Sequence, residues 1–276
     1  MFCRILNWMA SFILLSSLIG CATTPSGVTQ ESMSKIKRVA VVSLTAHIFY
    51  REYTGLTIFG NEYEEYDISN WKIDEEYEAQ IQNVLKNLGL FDVIKVPIER
   101  ADFYAVYDLP DVPWYSLETY MENWGAVEDK IKAFAKTNEL DAVIFVIKRE
   151  SYDFLVNSKQ FFQGAGFYAY GIGSYTRESV LHLLSKVVLI DGQTGKPISS
   201  QELRREFHGN KLSKYIGIGY YDRETTPIIH IPEKLARNKF NELDEKTKEE
   251  VENMLIELPK TAWEPTFKLL LTPNQN

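Results

Sequence analysis

Aromatic residues and glycines alternate through residues 161–179, FFQGAGFYAYGIGSYTRES, the stretch whose residue types best suit contact with another molecule. Gly164-x-Gly166 and Gly171-x-Gly173 have the spacing of a phosphate-cradling loop. Such a loop places its glycines between a strand and a helix start, so that backbone N–H groups reach an anion. Here rings separate the glycines and no Lys-Ser/Thr pair follows, so nucleotide binding is not expected. Aromatic side chains dominate contact energy at protein interfaces. A partner-binding patch is therefore expected at Phe162, Phe167, Tyr168, Tyr170 and Tyr175. Two readings compete with it: the same rings packed as core, and a membrane hairpin of a pore subunit. Against the hairpin, the alternation is too imperfect for a barrel strand. Ile216-Gly217-Ile218-Gly219-Tyr220-Tyr221 repeats the same flavour.

The other chemistry-bearing residues are scattered. His47, His182, His208 and His230 stand apart, without the paired spacing of a helical metal site, and His182 alternates with leucines as a packing residue would. No metal or cofactor is expected. No G-x-S-x-G elbow occurs, and whether Ser43 or Ser174 meets a histidine is left to the structure. The run Glu62-Tyr63-Glu64-Glu65-Tyr66-Asp67 could supply a glycosidase carboxylate pair, but it reads better as a solvated acidic loop. The two cysteines, Cys3 and Cys21, both precede the body, which leaves it without a disulfide, a thiolate nucleophile or a cysteine metal site. No catalytic set emerges, and an enzyme is not expected.

The 276 residues are 45% hydrophobic and 25% charged, the balance of a chain that buries a core. A net charge of −8 disfavours nonspecific binding to nucleic acid.

Residues 1–20 carry one cation, Arg4, and then a mostly apolar run, shorter than the about 20 residues a spanning helix needs. They end in Leu18-Ile19-Gly20-Cys21. This resembles the bacterial lipobox, in which cleavage before the cysteine accompanies attachment of a diacylglyceryl thioether. The resemblance implies a signal peptide at 1–20, lipidation and acylation at Cys21, and a protein anchored to a membrane. Two acyl chains hold a protein stably where one does so only marginally. Ala22 stands where an aspartate would signal inner-membrane retention, so outer-membrane attachment with a periplasmic body is expected. Residues 22–35, small and polar, read as a flexible tether.

The body, residues 36–276, reads as one α/β domain of mixed sheet covered by amphipathic helices. Arg38–Leu44 is a β-branched run suited to a strand buried on both faces. Residues 45–70 look irregular. Ile73, Tyr77, Ile81, Leu85 and Leu88 line one helix face, closed by Gly89. Phe91–Val96 predicts a second strand. Trp124, Val127, Ile131 and Phe134 predict a second helix, ending near Asn138, and Leu140–Ile147 a third strand. An antiparallel hairpin follows, with Ser179–Ile190 and Ile198–Phe207 joined through Asp191–Pro197. A helix from about Asn241 to Leu258, capped by Asn241, and a last amphiphilic piece after Pro265 complete the chain.

This order is similar to the TolB N-terminal/CsgG/LpoB type of periplasmic α/β fold. The carriers are Lys37–Val42, the Phe-Asp-Val-Ile of 91–94, Glu139–Ile144, and Val188–Lys196 with its Asp-x-x-Thr-Gly-Lys corner. The resemblance covers roughly residues 36–207. It implies a non-catalytic envelope lipoprotein that docks onto or regulates another envelope protein. The alternatives are a homo-oligomeric outer-membrane secretion pore and a periplasmic hydrolase.

Overall fold

The computed structural model describes residues 30–55, 60–100, 103, 128–152, 161–172, 175–204 and 227–272. They form a mixed α/β domain with two five-stranded sheets and a two-stranded ribbon.

At the centre of the first sheet lies β1 (Arg38–Leu44). β4 (Asp92–Val93) and β5 (Ala142–Lys148) pair with it in parallel on its two sides. β10 (Ser185–Asp191) and β11 (Pro197–Glu202) extend the sheet antiparallel beyond β5. Along β1, Val39 and Val41 pack into one core cluster, while Ala40, Val42 and Leu44 pack into the other. An uninterrupted apolar run is what a strand covered on both faces requires. The covering elements are α2 (Ile73–Leu88) on the first face and α3 (128–137) on the second. The second strand is much shorter than expected, two residues in place of six.

Residues 45–55 and 60–70, expected to be irregular, are largely strand. β2 (Ile48–Thr54) and β3 (Glu62–Asp67) form an antiparallel hairpin, so the expected acidic loop is a strand. They join β8 (Ala165–Ile172), β9 (Tyr175–Leu183) and β12 (Ile228–His230) in the second sheet, ordered β12-β9-β8-β2-β3. The ribbon pairs β6 (Glu150–Tyr152) with β7 (Phe161–Gln163). The expected single strand Ser179–Ile190 is two strands. The chain leaves the second sheet at Leu183 and enters the first at Ser185, and the Leu184 N–H donates to the Gly164 carbonyl at 2.7 Å.

The predicted face of α2 is buried at Ile73, Tyr77, Ile81 and Leu85, and Gly89 closes the helix at φ 65. Burying each such side chain contributes about 1.5–3 kcal/mol. Against this face pack α5 (Glu245–Glu257) and α6 (Lys260–Leu271), with the short α4 (Glu233–Arg237) preceding them. The Tyr77 hydroxyl donates to the Leu255 carbonyl at 2.8 Å, and Trp263 Nε1 donates to Gln80 Oε1 at 2.9 Å. The cap of α5 is Asp244 and not Asn241, because Asn241 falls within a 3-10 turn; Asp244 Oδ1 accepts from the Thr247 N–H at 2.8 Å. Pro265 lies inside α6. The expected tether is partly folded, since Gln30–Lys35 forms α1, braced by a Lys35–Glu31 pair at 2.7 Å.

The corner between β10 and β11 forms as expected. Asp191 Oδ1 accepts from the backbone of Gln193 and Thr194 and from the Thr194 hydroxyl, which closes the turn.

Candidate functional site

A group of buried ionisable side chains sits where β1 ends and α2 begins. Past Leu44 the chain turns through Thr45, Ala46 and His47 to pass from the first sheet into the second. Such a turn exposes backbone donors that neither sheet satisfies. Asp74, in the first turn of α2, takes them: its Oδ1 accepts from the Ser43 hydroxyl at 2.6 Å, from the Thr45 N–H at 3.0 Å and from the Ala46 N–H at 3.2 Å. One turn on, Glu78 Oε1 accepts from the Ser43 N–H at 2.9 Å.

Arg100 closes the group from outside. Its Nη2 reaches Glu78 at 2.7 Å, its Nη1 reaches Glu75 at 3.0 Å, and its Nε donates to the Ser43 carbonyl at 3.3 Å. Burial pushes the Asp74 carboxyl up from the ordinary aspartate range, against the pull of the Ser43 hydroxyl, the Thr45 N–H and Arg100. Burial also raises Glu78, against the Ser43 N–H and Arg100, with the neighbouring Asp74 adding to the rise. Thr45 Oγ1 lies 2.7 Å from Ser185 Oγ, so the β1–β2 and β9–β10 crossings are bonded to one another.

Beside the group opens a cleft of about 290 Å³, lined in part by Ser69, Lys72, Asp74, Glu75 and Arg100. Lys72 adopts the left-handed conformation, φ 55 and ψ 30, at the entry to α2. A glycosidase needs two carboxyl groups facing one open space at about 5–10 Å. Here Asp74 turns its oxygens to the β1–β2 turn, and Glu75 is spent on Arg100. Ser43 meets a carboxylate and not a histidine. The arrangement positions backbone.

Two further charged clusters are also structural. Arg51, 1% exposed on β2, donates to the carbonyls of Ala236 at 3.1 Å and Arg237 at 2.6 Å and pairs with Glu62 and Glu64 at 2.8 and 3.2 Å. It thereby ties the β2–β3 hairpin to α4. At the end of β11, burial works against ionisation of Glu202, yet Arg149 and Arg204 hold its carboxyl below the ordinary glutamate range.

The expected aromatic patch is corrected at two positions. Phe167 and Tyr168 are fully buried on β8, Phe167 edge-on to Phe49 at 4.8 Å between ring centres. The reason is β8's place inside the sheet: it is flanked by β2 and β9, with Ala165, Phe167 and Ala169 in the core. Residues 165–169 are therefore sheet interior. Gly166 serves the close approach of two strands, since a Cβ there would lie 2.0 Å from the Tyr50 carbonyl oxygen of the neighbouring strand. The side chains of Phe162, Tyr170 and Tyr175 lie outside the described residues, as do Cys21, His208 and Ile216–Tyr221. His182 is buried, with its Nε2 3.1 Å from the Gln163 carbonyl, and burial pulls its pKa down to about 4. Among the described residues no three metal-ligating side chains stand together, and no helix is long and apolar enough to cross a membrane.

Reading the sequence for motifs missed Asp74, Glu78, Arg100 and Arg51. A signal existed for two of them: Asp74 and Glu78, four apart, each follow an apolar face position of α2, at Ile73 and Tyr77.

No protein-family model matches the chain, and no curated protein matches it. Among solved structures, the chain is similar to lipoprotein GNA1162 from Neisseria meningitidis, at 11% identity and a TM-score of 0.25, over 63% of this chain and 88% of that one. A likeness that weak assigns no function.

Proposed function

We propose that this protein is a lipid-anchored envelope protein that acts by docking onto another envelope protein, with no chemistry of its own. The observation that carries the reading is Leu18-Ile19-Gly20-Cys21, following Arg4 and an apolar run and leading, after a short polar segment, into α1 and β1. A diacylated Cys21 would hold the body at a bilayer. With Ala22 after the cysteine, the outer membrane is the expected address and the periplasm the compartment of the body.

The use of the buried carboxylates supports the non-catalytic half of the reading. Asp74 and Glu78 are spent on the donors of Ser43, Thr45, Ala46 and Arg100, where a general acid or base would need a free oxygen facing substrate.

Metabolic labelling with an alkynyl fatty acid tests the anchor. The wild-type protein should carry label and sediment with membranes, and Cys21→Ser should lose the label. An unlabelled wild-type chain, or one that retains residues 1–20, overturns the reading. Crosslinking in living cells tests the docking, which requires a specific envelope protein to be recovered with the anchored chain.

A further inference from the structure

From the edge of β3, unpaired among the described residues, we infer a docking rail for an extended, lysine- or arginine-bearing segment of a partner, which would add to the second sheet as a further strand. The inference rests on the docking reading above and names the surface and the chemistry of the partner.

The phase of the hairpin decides which groups are on offer. The Ile68 N–H donates to the His47 carbonyl at 2.9 Å, and the register runs unbroken from Ile48↔Asp67 to Tyr53↔Glu62. In an antiparallel pair only alternate residues exchange bonds. Glu62, Glu64 and Tyr66 therefore turn their backbone toward β2, and Tyr63, Glu65 and Asp67 turn theirs outward. β3 is the end strand of its sheet among the described residues.

The other edges are blunted. β4 has two residues, β12 has three, and β11 begins at Pro197 with α6 packed beside it, Ser199 donating to Leu270. Short strands, proline and covering elements are the usual protections of a sheet edge. β3 is six residues long and has no proline, no lysine and no bulge.

Charge selects the occupant. Glu62, Glu65 and Asp67 are exposed along the strand, so a second copy of this acidic chain would align like charges. A basic strand would instead find carboxylates on both faces, together with the Tyr63 ring, 52% exposed. That ring is already fixed, because its hydroxyl donates to Glu65 Oε1 at 2.5 Å and accepts from Gln163 Nε2 at 2.8 Å. A preorganised aromatic loses little freedom on binding.

The test uses the full chain, purified in detergent, and a ten-residue peptide of alternating Lys and Val, with alternating Glu and Val as control. Binding of the Lys peptide should slow hydrogen exchange at the amides of Tyr63, Glu65 and Asp67, leaving the already bonded Glu62, Glu64 and Tyr66 unchanged. Glu65→Pro removes an outward N–H without breaking the ladder to β2, so it should weaken the Lys peptide at least tenfold at an unchanged melting temperature. Glu65→Ala, which loses the same carboxylate but keeps the N–H, should weaken it only about threefold. Should Glu65→Pro fail to fold, the exchange pattern of the wild-type chain decides alone. Equal binding of both peptides, no protection at the three outward amides, dimers formed through this edge, or a folded Glu65→Pro that binds like wild type overturns the inference. Those failures leave the anchor and the cell-crosslinking result untouched, so the two readings fall separately.

Discussion

The Ser43 hydroxyl donates to Asp74 Oδ1 across 2.6 Å, joining the end of β1 to the first turn of a helix 31 residues later in the chain. The same carboxylate oxygen receives the N–H groups of Thr45 and Ala46, so one side chain fixes the turn by which the chain passes between sheets. Alanine removes that acceptor and leaves the donors of Ser43, Thr45 and Ala46 unpaired. Asp74→Ala should lower unfolding free energy by about 3 kcal/mol, the scale of buried donors left without an acceptor. Chemical denaturation measures this, and a shift under 1 kcal/mol would mean the turn stands without Asp74.

Arg51 serves the second sheet in the same way, with two backbone carbonyls and two glutamates around a buried guanidinium. Arg51→Ala should cost about 3–5 kcal/mol, as expected when one partner of a buried ionic group is removed. Arg51→Lys should recover little of it, because an ammonium cannot span the fork of acceptors. Rescue to wild-type stability by lysine would count against this geometry.

Acid should weaken the fold through His182, whose pKa is pulled by burial from 6.5 to about 4. Between those values the unfolded chain takes up a proton that the folded chain refuses, so stability rises with pH across this window. Relative to His182→Gln, the wild-type protein should lose about 3 kcal/mol on going from pH 7 to pH 4. Asp74 and Glu78, raised by burial, run the other way, since the folded state keeps their protons longer and stability falls as pH climbs past the ordinary carboxylate range. Paired denaturation curves of the two proteins cancel that shared contribution; parallel pH profiles would show that His182 is not the titrating group.

Phe167→Ala should destabilise the body by about 3–5 kcal/mol, the cost of emptying a packed core site. Gly166→Ala should do comparable damage, because a methyl group there would overlap the Tyr50 carbonyl of the parallel neighbour. Thermal melting checks both. A stable Phe167→Ala variant that has lost only partner binding would restore the interface reading of this residue.

Much of the architecture was legible from local pattern. The apolar run at 38–44 marked a strand covered on both faces, spacing by four marked the buried stripe of α2, and the Asp-x-x-Thr-Gly-Lys stretch marked its corner. These features depend on residues close in sequence. The acidic run at 62–67 misled because alternation is what matters: Glu62 and Glu64 turn toward a buried cation while Tyr63 and Glu65 turn away, and composition alone looks like a solvated loop.

The sequence by itself determined the lipobox-like motif at 18–21, the net charge, and the succession of the first sheet's strands and the longer helices, because periodicity and short motifs are local properties of the chain. Only the tertiary structure decided that Ser179–Ile190 divides between two sheets, that Phe167 and Tyr168 belong to the core, that Asp74, Glu78 and Arg100 hold the β1–β2 crossing, and that Arg51 ties the β2–β3 hairpin to α4. Those outcomes depend on which strand lies beside which, and so on contacts between residues far apart in the chain.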